Sequence, residues 1–330
     1  METRKVQITG GSSYIISLPK EWINKNKIHP KDALNLIIQE DKILLIPPKK
    51  FKKLNFREKV INLEDIEGAS YLFRLLIGVY MMGYSMIILQ AKKRITIEYR
   101  EVIKKFVNDA IGLEIMDESP YQIKIKDLLN PAEMPFDTIT NRLYLLVKNM
   151  LDDSRIALNN KDKDLSENIV KRDDDIDRLY WLIARQSNLI LKNLIISIEV
   201  GIETKNANFY YFISRIIERI GDHAVNIAKH IPIIMERLKE PQINKINTAI
   251  QAASDIFSKS IKIWQEENMT EANQIIDSAG NLNSILNEIN NFAINTENEV
   301  AIALNYIIES IRRIADYSTN ICELTINFLV

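Results

Sequence analysis

Apolar side chains recur every three or four residues through the last two thirds of the chain. This period matches one face of an α-helix, because a helix has about 3.6 residues per turn. The pattern predicts six amphipathic helices, at residues 134–160, 164–197, 205–237, 243–267, 270–293 and 297–329. Since each apolar face must pack against another, we expect a helical body.

The six predicted helices form two similar sets of three. The segment ALNNKDKDLSENIV (157–170) aligns with IWQEENMTEANQII (263–276), an offset of 106 residues. The segment ERIGDHAVNI (218–227) aligns with RRIADYSTNI (312–321), an offset of 94 residues. The pattern therefore predicts a tandem repeat of a three-helix bundle, at 131–238 and 243–330, with the second helix of the first copy longer by 12 residues.

The chain before this body changes its pattern twice. Residues 58–130 mix helical and alternating periods and predict a small α/β domain that begins with a helix at 65–82. The apolar stretch 69–89 is long enough to span a bilayer, but Arg74 and a glycine interrupt it. We interpret it as a buried helix that leads into a strand, and expect no integral membrane segment.

Residues 1–48 predict short strands around one short helix, which begins near Pro19. So small a core favours partner strands from a second chain, and hence a homodimer. Residues 49–57 form a basic linker. The fold class predicted for the whole chain is mainly α, or α+β overall.

Charge is distributed unevenly along the chain. Residues 1–57 contain twelve Lys/Arg and five Asp/Glu, a net charge of +7, which leaves −8 for the rest of a chain whose total is −1. A basic head suggests an anionic partner, although a solvated lysine surface would have the same composition. The single Cys322 excludes an intramolecular disulfide framework, and the opening METRKVQITGG lacks the apolar region of a signal peptide, so we expect a cytoplasmic protein.

Two pairs of carboxylates have helical spacing. Glu218 and Asp222 share one face of a helix, and so do Asp173 and Asp177 on the preceding helix. If these helices pack together, the four carboxylates would repel one another unless they are protonated or bind cations. An all-carboxylate site suits magnesium, manganese or iron.

The alternative is that both pairs face solvent and are balanced by basic neighbours. Arg172, Arg178 and Arg219 are close in sequence and could serve. His223 is displaced from the carboxylate face and is expected to be packed or hydrogen-bonded rather than a ligand. Because neither the spacing of a diiron enzyme nor a catalytic triad is present, we expect no enzymatic activity.

The first 48 residues resemble the AbrB/SpoVT swapped-hairpin family. The resemblance rests on RKVQITGGSSYIISLPKEW followed by KDALNLIIQEDKILLIPP. It implies an intertwined dimer that in many members binds DNA through basic side chains, and in some members only pairs with proteins. The positions that match the DNA-binding side chains are Arg4, Lys5, Lys20, Lys25 and Lys27.

Residues 134–330 resemble the PhoU family of phosphate-uptake regulators, through KRDDDIDRLYWLIARQ and ERIGDHAVNIAKHI within the tandem repeat. The resemblance implies metal clusters bound by E/D-x-x-x-D motifs and contact with a phosphate ABC transporter. Iron, zinc, manganese or magnesium are the metals to consider. The matching ligand positions are Asp173, Asp177, Glu218 and Asp222.

The second repeat departs from the motif. Arg312 stands in the place of Glu218, and Ala279 and Asn283 stand in the places of Asp173 and Asp177. Only Asp316, the equivalent of Asp222, remains. We therefore predict one metal site, with Arg312 paired to Asp316 in the second repeat.

These features predict a phosphate-responsive regulator that binds promoter DNA of phosphate-transport genes through its head. A fusion of this kind is expected in archaea. The alternative is an accessory protein that docks on a phosphate ABC transporter and uses the head only for dimerisation.

Overall fold

The computed structural model of the chain describes residues 2–39, 42–47 and 57–330. It divides into two compact units, Met1–Phe56 and Arg57–Val330, which are considered separately. The predicted basic linker at 49–57 lies outside the described residues except for Arg57.

The N-terminal unit contains two antiparallel hairpins and one short helix. Its elements are β1 (Gln7–Thr9), β2 (Ser13–Ile15), α1 (Lys20–Asn26), β3 (Asn35–Gln39) and β4 (Lys42–Ile46). Gly10 and Gly11 form the first turn with φ values of 64° and 84°, a backbone region that favours glycine. Pro19 precedes α1, as the sequence predicts.

The N-terminal unit leaves many of its apolar side chains exposed. Of its described residues, only Ile46 and Pro47 are buried. Tyr14 is 73% exposed and Ile38 is 77% exposed. A single copy therefore lacks a core of its own, as expected of a unit that pairs with a second chain.

The second unit begins with a four-stranded sheet and two helices. The strands are β5 (Glu58–Asn62), β6 (Met86–Gln90), β7 (Leu113–Glu118) and β8 (Gln122–Asp127), and the helices are α2 (Ala69–Met81) and α3 (Ile97–Asp109). The strand order is β5-β6-β8-β7, with β5 parallel to β6 and the other neighbours antiparallel. The sequence predicts this α/β arrangement but misses β5.

The helical body follows, and its described residues form nine helices. Their bounds are α4 (Phe136–Asn160), α5 (Lys163–Lys171), α6 (Asp173–Lys192), α7 (Leu194–Val200), α8 (Thr204–Ile234), α9 (Glu240–Glu266), α10 (Met269–Ser278), α11 (Leu282–Ala293) and α12 (Asn298–Leu329). Two of the six predicted segments are therefore broken. The segment 164–197 divides into α5, α6 and the start of α7, and 270–293 divides into α10 and α11 around a 3-10 turn at Ala279–Asn281.

These breaks fall at equivalent places in the two repeats. Helix α5 ends at Lys171 and α10 ends at Ser278. The distance between these two ends along the chain is close to the offset of 106 residues between the repeats. Helix α6 has 20 residues, whereas its counterpart α11 has 12. The short helix α7 supplies the remaining extra residues of the first repeat. The third helix of each repeat, α8 or α12, packs against the other helices of its repeat, and α8 also packs against α12.

Helix α6 joins the sheet unit to the helical body. Its Tyr180 and Trp181 belong to the apolar core of the sheet unit. The Arg185 guanidinium, only 2% exposed, donates to the carbonyl oxygens of Tyr80 at 2.8 Å and Tyr84 at 3.0 Å and forms an ion pair with Asp127. The two parts of this unit are therefore held together by a buried charge pair as well as by apolar packing.

No helix in the described part of the chain has both the length and the apolar character that a membrane crossing needs.

Candidate functional site

Helices α6 and α8 pack against each other and bring the four predicted carboxylates together. The apolar positions Ile217, Ile220, Ala224 and Ile227 on α8 are all buried. On α6, Ile176 is fully buried as well. Because these stripes fill the core, the carboxylates are held along the edge of the helix contact, at the border with solvent.

Gly221 allows the two helices to approach closely at this point. A Cβ atom built on Gly221 would lie 2.7 Å from Ile176 Cδ1 and 3.4 Å from Val147 Cγ2. The glycine therefore lies directly opposite α6, between Glu218 and Asp222. The equivalent position in the second repeat holds Ala315.

The four carboxylates influence one another across the helix contact. Burial raises the pKa of Asp177 to about 6, with further contributions from the nearby negative charges of Asp173 and Asp222. Burial and the charge of Asp222 also raise the pKa of Asp173. Both pairs therefore belong to one cluster, which we call the carboxylate cluster: Asp173, Asp177, Glu218 and Asp222.

Glu218 is the most deeply buried member, with 8% of its surface exposed. Burial, followed by the charge of Asp222, raises its pKa to about 7. Its Oε1 accepts a hydrogen bond from Arg215 at 2.9 Å, and its buried Oε2 has no hydrogen-bond partner among the described residues. A buried carboxylate oxygen without a donor is costly, so it marks a place for a proton or a cation.

Basic side chains compensate the cluster only in part. Burial raises the pKa of Asp222, and the nearby charges of Arg219, His223 and Arg215 offset only part of this effect. Of the other arginines considered as counter-charges, Arg172 pairs with Asp153 at 2.6 Å and Arg178 lies 3.7 Å from Asp175. Sequence reasoning missed Arg215, which its position three residues before Glu218 on one helix would have revealed.

The carboxylate oxygens suit a hard or borderline divalent cation in chemical type. Within the described ranges, no three acidic, histidine or cysteine side chains are grouped closely enough to hold one metal ion together. The cluster is therefore a site of concentrated negative charge, with the unpartnered oxygen of Glu218 at its buried end.

The second repeat lacks this cluster, and its predicted ion pair is wrong. Arg312 donates to Glu309 at 2.7 Å instead of pairing with Asp316. Arg313 also donates to Glu309, at 2.8 Å. Glu309 lies one turn before Arg312 on α12, which places its carboxylate within reach of both guanidinium groups.

The histidines of α8 pack against α12. His223 lies 5.8 Å from the ring of Tyr317, and burial lowers its pKa. His230 stacks on Tyr306 at 4.6 Å, and its Nδ1 lies 2.7 Å from the carbonyl oxygen of Asn226. Packing roles for both rings agree with the prediction that His223 is a packed residue.

The five basic residues predicted to contact DNA are all exposed in the N-terminal unit: Arg4, Lys5, Lys20, Lys25 and Lys27. Arg4 forms an ion pair with Glu2. Lys20 is the first residue of α1, and Lys27 caps its C-terminal end in a left-handed conformation, with φ of 52°. This arrangement leaves four lysines of the set open to a partner.

Two known families match different parts of the chain. The PhoU domain matches residues 140–231 and 246–325, one match in each three-helix repeat. The family described as antidote-toxin recognition MazE, bacterial antitoxin, matches residues 7–53. The second match agrees with an AbrB-like head.

Individual proteins resemble more than half of the chain. The phosphate-specific transport system accessory protein PhoU homolog of Clostridium acetobutylicum is 24% identical over 202 residues, which span 56% of this chain and 86% of that protein. The protein of the same name from Zymomonas mobilis is 22% identical over 174 residues, 51% of this chain and 72% of that protein. The crystal structure of the phosphate transport system regulatory protein PhoU from Streptococcus pneumoniae has a TM-score of 0.49 and 19% identity, covering 58% of this chain and 92% of that one.

The two PhoU domain matches together span more than half of the chain and coincide with the two repeats of the helical body. The chain therefore belongs to the PhoU family.

Proposed function

We propose that this chain is an accessory protein that regulates phosphate transport, with a helical body that docks on a phosphate transport system. The observation that carries the proposal is the tandem of three-helix repeats, each of which is a PhoU domain. Relatives that are similar over more than half of the chain are named as accessory proteins of phosphate-specific transport. Such a role is regulatory rather than catalytic.

The charge of the chain supports docking on the cytoplasmic side of a transporter. Residues 58–330 carry a net charge of −8. Cytoplasmic loops of membrane proteins carry an excess of Lys and Arg, so an acidic body complements them. The body would approach the transporter from the cytoplasm without entering the bilayer.

In this proposal the N-terminal unit joins two chains. Its apolar side chains are exposed in a single copy, and strands supplied by a second copy would cover them. Each homodimer would then present two helical bodies to the transport system.

DNA binding by the same unit is a second candidate function. It is favoured by the net charge of +7 over residues 1–57 and by exposed Lys5, Lys20, Lys25 and Lys27. Lysines that contact phosphates release counterions, so affinity for promoter DNA of phosphate-transport genes should fall steeply with salt, with a log–log slope of about −0.9 per phosphate contact. The double substitution Lys5→Ala and Lys20→Ala should remove about two phosphate contacts and make this slope correspondingly shallower. If the wild-type chain does not retard DNA migration even at low salt, this candidate function is excluded.

The carboxylate cluster is proposed to hold metal ions, with iron, zinc, manganese and magnesium as candidates. Asp173, Asp177, Glu218 and Asp222 would hold the cation between α6 and α8, and their side chains would have to draw closer together around it than they are in this structure. When bound, the cation would supply positive charge to the unpartnered oxygen of Glu218. Because the fold brings these residues together, binding would tie the two helices more firmly.

The docking proposal is tested by purification of the full chain from its own cells, solubilised in mild detergent. We expect subunits of a phosphate ABC transporter to co-purify, and to dissociate as salt is raised because the contact is electrostatic. The Arg185→Leu variant loses the buried ion pair with Asp127 that joins the sheet to the helical body. A preparation of this variant made in the same way should contain fewer co-purified transporter subunits. Recovery of the chain without transporter subunits at any salt concentration would overturn the proposal.

A further inference from the structure

A cavity of about 710 Å³ opens between the two repeats at one end of the helical body. The first repeat lines it with the beginnings of α4 and α8, and the second repeat lines it with the ends of α9 and α12. Tyr210, which lines it, precedes Glu218 by eight residues, about 12 Å along α8. The cavity is therefore separate from the carboxylate cluster, and its volume is in the range of small-ligand sites.

Four aromatic rings line this cavity in two pairs. Phe209 and Phe328 meet edge to face with centroids 4.6 Å apart, and Tyr210 and Trp264 do so at 5.2 Å. Each pair joins one ring from each repeat. All four side chains are only partly buried, so part of their aromatic surface is not covered by packing and remains accessible from the cavity.

Two carboxylates stand beside these rings. Asp137 accepts a hydrogen bond from the Tyr210 hydroxyl. Burial raises the pKa of Tyr210, and this hydrogen bond and the negative charges of Asp137 and Glu267 raise it further. The described residues that line the cavity include no lysine and no arginine. The combination of negative aromatic faces and uncompensated carboxylates favours a positive ligand.

The chain already places one cation against this aromatic group. The Lys205 ammonium lies 4.9 Å from the centre of the Phe328 ring and donates to the Phe328 carbonyl oxygen at 3.1 Å. Lys205 is exposed and does not line the cavity. The Phe328 ring therefore attracts an ammonium group in this structure, while the Trp264 and Tyr210 rings have no such partner among the cation–ring contacts of the described residues.

We infer that this cavity between the repeats binds an organic cation, an ammonium or guanidinium group held over the aromatic rings and balanced by Asp137 and Glu267. This binding site is independent of the proposed role in phosphate transport and of the carboxylate cluster. Because each repeat supplies half of it, an occupied cavity would hold the two repeats together. The cation can belong to a free amine or to a side chain of a partner peptide.

The direct test compares choline with its neutral isostere 3,3-dimethylbutan-1-ol by calorimetric titration of the full chain. The two molecules have nearly the same shape and differ in charge. We expect choline to bind at least about tenfold more tightly, since cation–π attraction adds to contact with the carboxylates. Equal affinities would mean a merely apolar cavity and would overturn the inference. Absence of binding at millimolar concentration by both choline and the arginine peptide described below would also overturn it.

Variants locate the binding. Trp264→Leu removes the ring best suited to a cation and should weaken choline binding about fivefold or more. Glu267→Gln changes an exposed carboxylate, leaves the core untouched, and should also weaken binding several-fold; Glu266→Gln, at the neighbouring residue outside the cavity lining, is the matched control. Equal loss in Glu266→Gln and Glu267→Gln, or no loss in Glu267→Gln, would contradict the site.

Blocked peptides distinguish the source of the cation. A short acetylated and amidated peptide with a central arginine is compared with the same peptide carrying neutral citrulline. Preference for the arginine peptide over both citrulline and choline assigns the site to a partner protein, and preference for choline assigns it to a small amine. If citrulline binds as well as arginine, charge does not govern the site and the inference fails.

Discussion

The guanidinium of Arg215 donates a hydrogen bond to the carboxylate of Glu218 at 2.9 Å. At the equivalent positions of the second repeat, 94 residues later, Glu309 accepts from Arg312 at 2.7 Å. The two repeats thus keep one ion pair with its charges exchanged. A positive Arg312 in the place of Glu218 repels a metal cation, so a metal site is expected in the first repeat alone.

The metal proposal predicts that Asp173→Ala combined with Asp222→Ala abolishes specific metal uptake. The two substitutions remove one carboxylate from each helix. Asp173 is half-buried and Asp222 lies at the surface, so the helices should remain folded. Metal content is measured after purification without chelator and incubation with iron, zinc, manganese and magnesium in turn. Helix content by circular dichroism is recorded in parallel.

Asp316→Ala is the matched control, because Asp316 is the equivalent of Asp222 in the repeat without a cluster. It should leave metal uptake unchanged. If the wild type holds none of the four metals, or if Asp316→Ala lowers uptake as much as the double variant, the site assignment is wrong.

The raised pKa of Glu218 predicts a specific pH dependence of stability in metal-free buffer. Its pKa is about 7 in the folded chain against an ordinary value of 4.5, so the folded state binds more protons between these values. The free energy of unfolding should therefore fall as pH rises from about 4.5 to 7, by at most about 1.4 kcal/mol per pH unit for one proton. The Glu218→Gln side chain cannot titrate, so the free energy of unfolding of this variant should change less steeply with pH. Urea unfolding at several pH values measures this dependence.

Asp316→Asn serves as the control for this experiment, because it removes an exposed carboxylate from the equivalent helix. Its pH slope should match that of the wild type. A Glu218→Gln slope as steep as the wild-type slope would show that Glu218 is already ionised in the folded state.

Dimerisation through the N-terminal unit predicts that Ile38→Lys converts the chain to a monomer. Ile38 is 77% exposed in a single copy, so the substitution costs that copy little, whereas burial against a second copy would leave a lysine without water. Ile294→Lys is the matched control, since Ile294 is 80% exposed in the helical body. Sedimentation velocity should show a monomer for Ile38→Lys and a dimer for Ile294→Lys and the wild type; a dimer for all three would contradict this interface.

Arg185 is predicted to be a strong determinant of stability in the second unit. Arg185→Leu leaves the Asp127 carboxylate buried without its counter-charge, which typically costs about 3–5 kcal/mol. Asp117→Asn breaks the exposed pair with Lys124, 3.1 Å apart, and should change stability by no more than about 1 kcal/mol. Chemical denaturation of both variants measures the difference, and equal small effects would mean that the buried pair contributes little.

The sequence predicts what depends on local periodicity. The buried stripe of Ile217, Ile220 and Ala224 follows from helical spacing alone, and so does the shared face of Glu218 and Asp222. The two repeats are visible because two motifs recur along the chain, at offsets of 106 and 94 residues. These features require no knowledge of distant contacts.

The sequence does not reveal features that depend on packing between distant segments. The partner of Arg185 lies 58 residues earlier, and nothing in the spacing of α6 links it to Asp127. Strand β5 gains its structure from parallel pairing with β6, across an intervening helix. The error at Arg312 has another cause: Glu309 and Asp316 are both within one turn, and spacing alone does not choose between them.

The central claim, regulation of phosphate transport, is tested most directly by phosphate uptake in cells that lack this chain. Initial uptake of labelled phosphate is measured after growth in abundant and in limiting phosphate, with and without the wild-type chain restored. The account predicts that cells without the chain fail to reduce uptake when phosphate is abundant, and that the restored chain recovers this response. Uptake that responds to phosphate equally well in the presence and absence of the chain would contradict it.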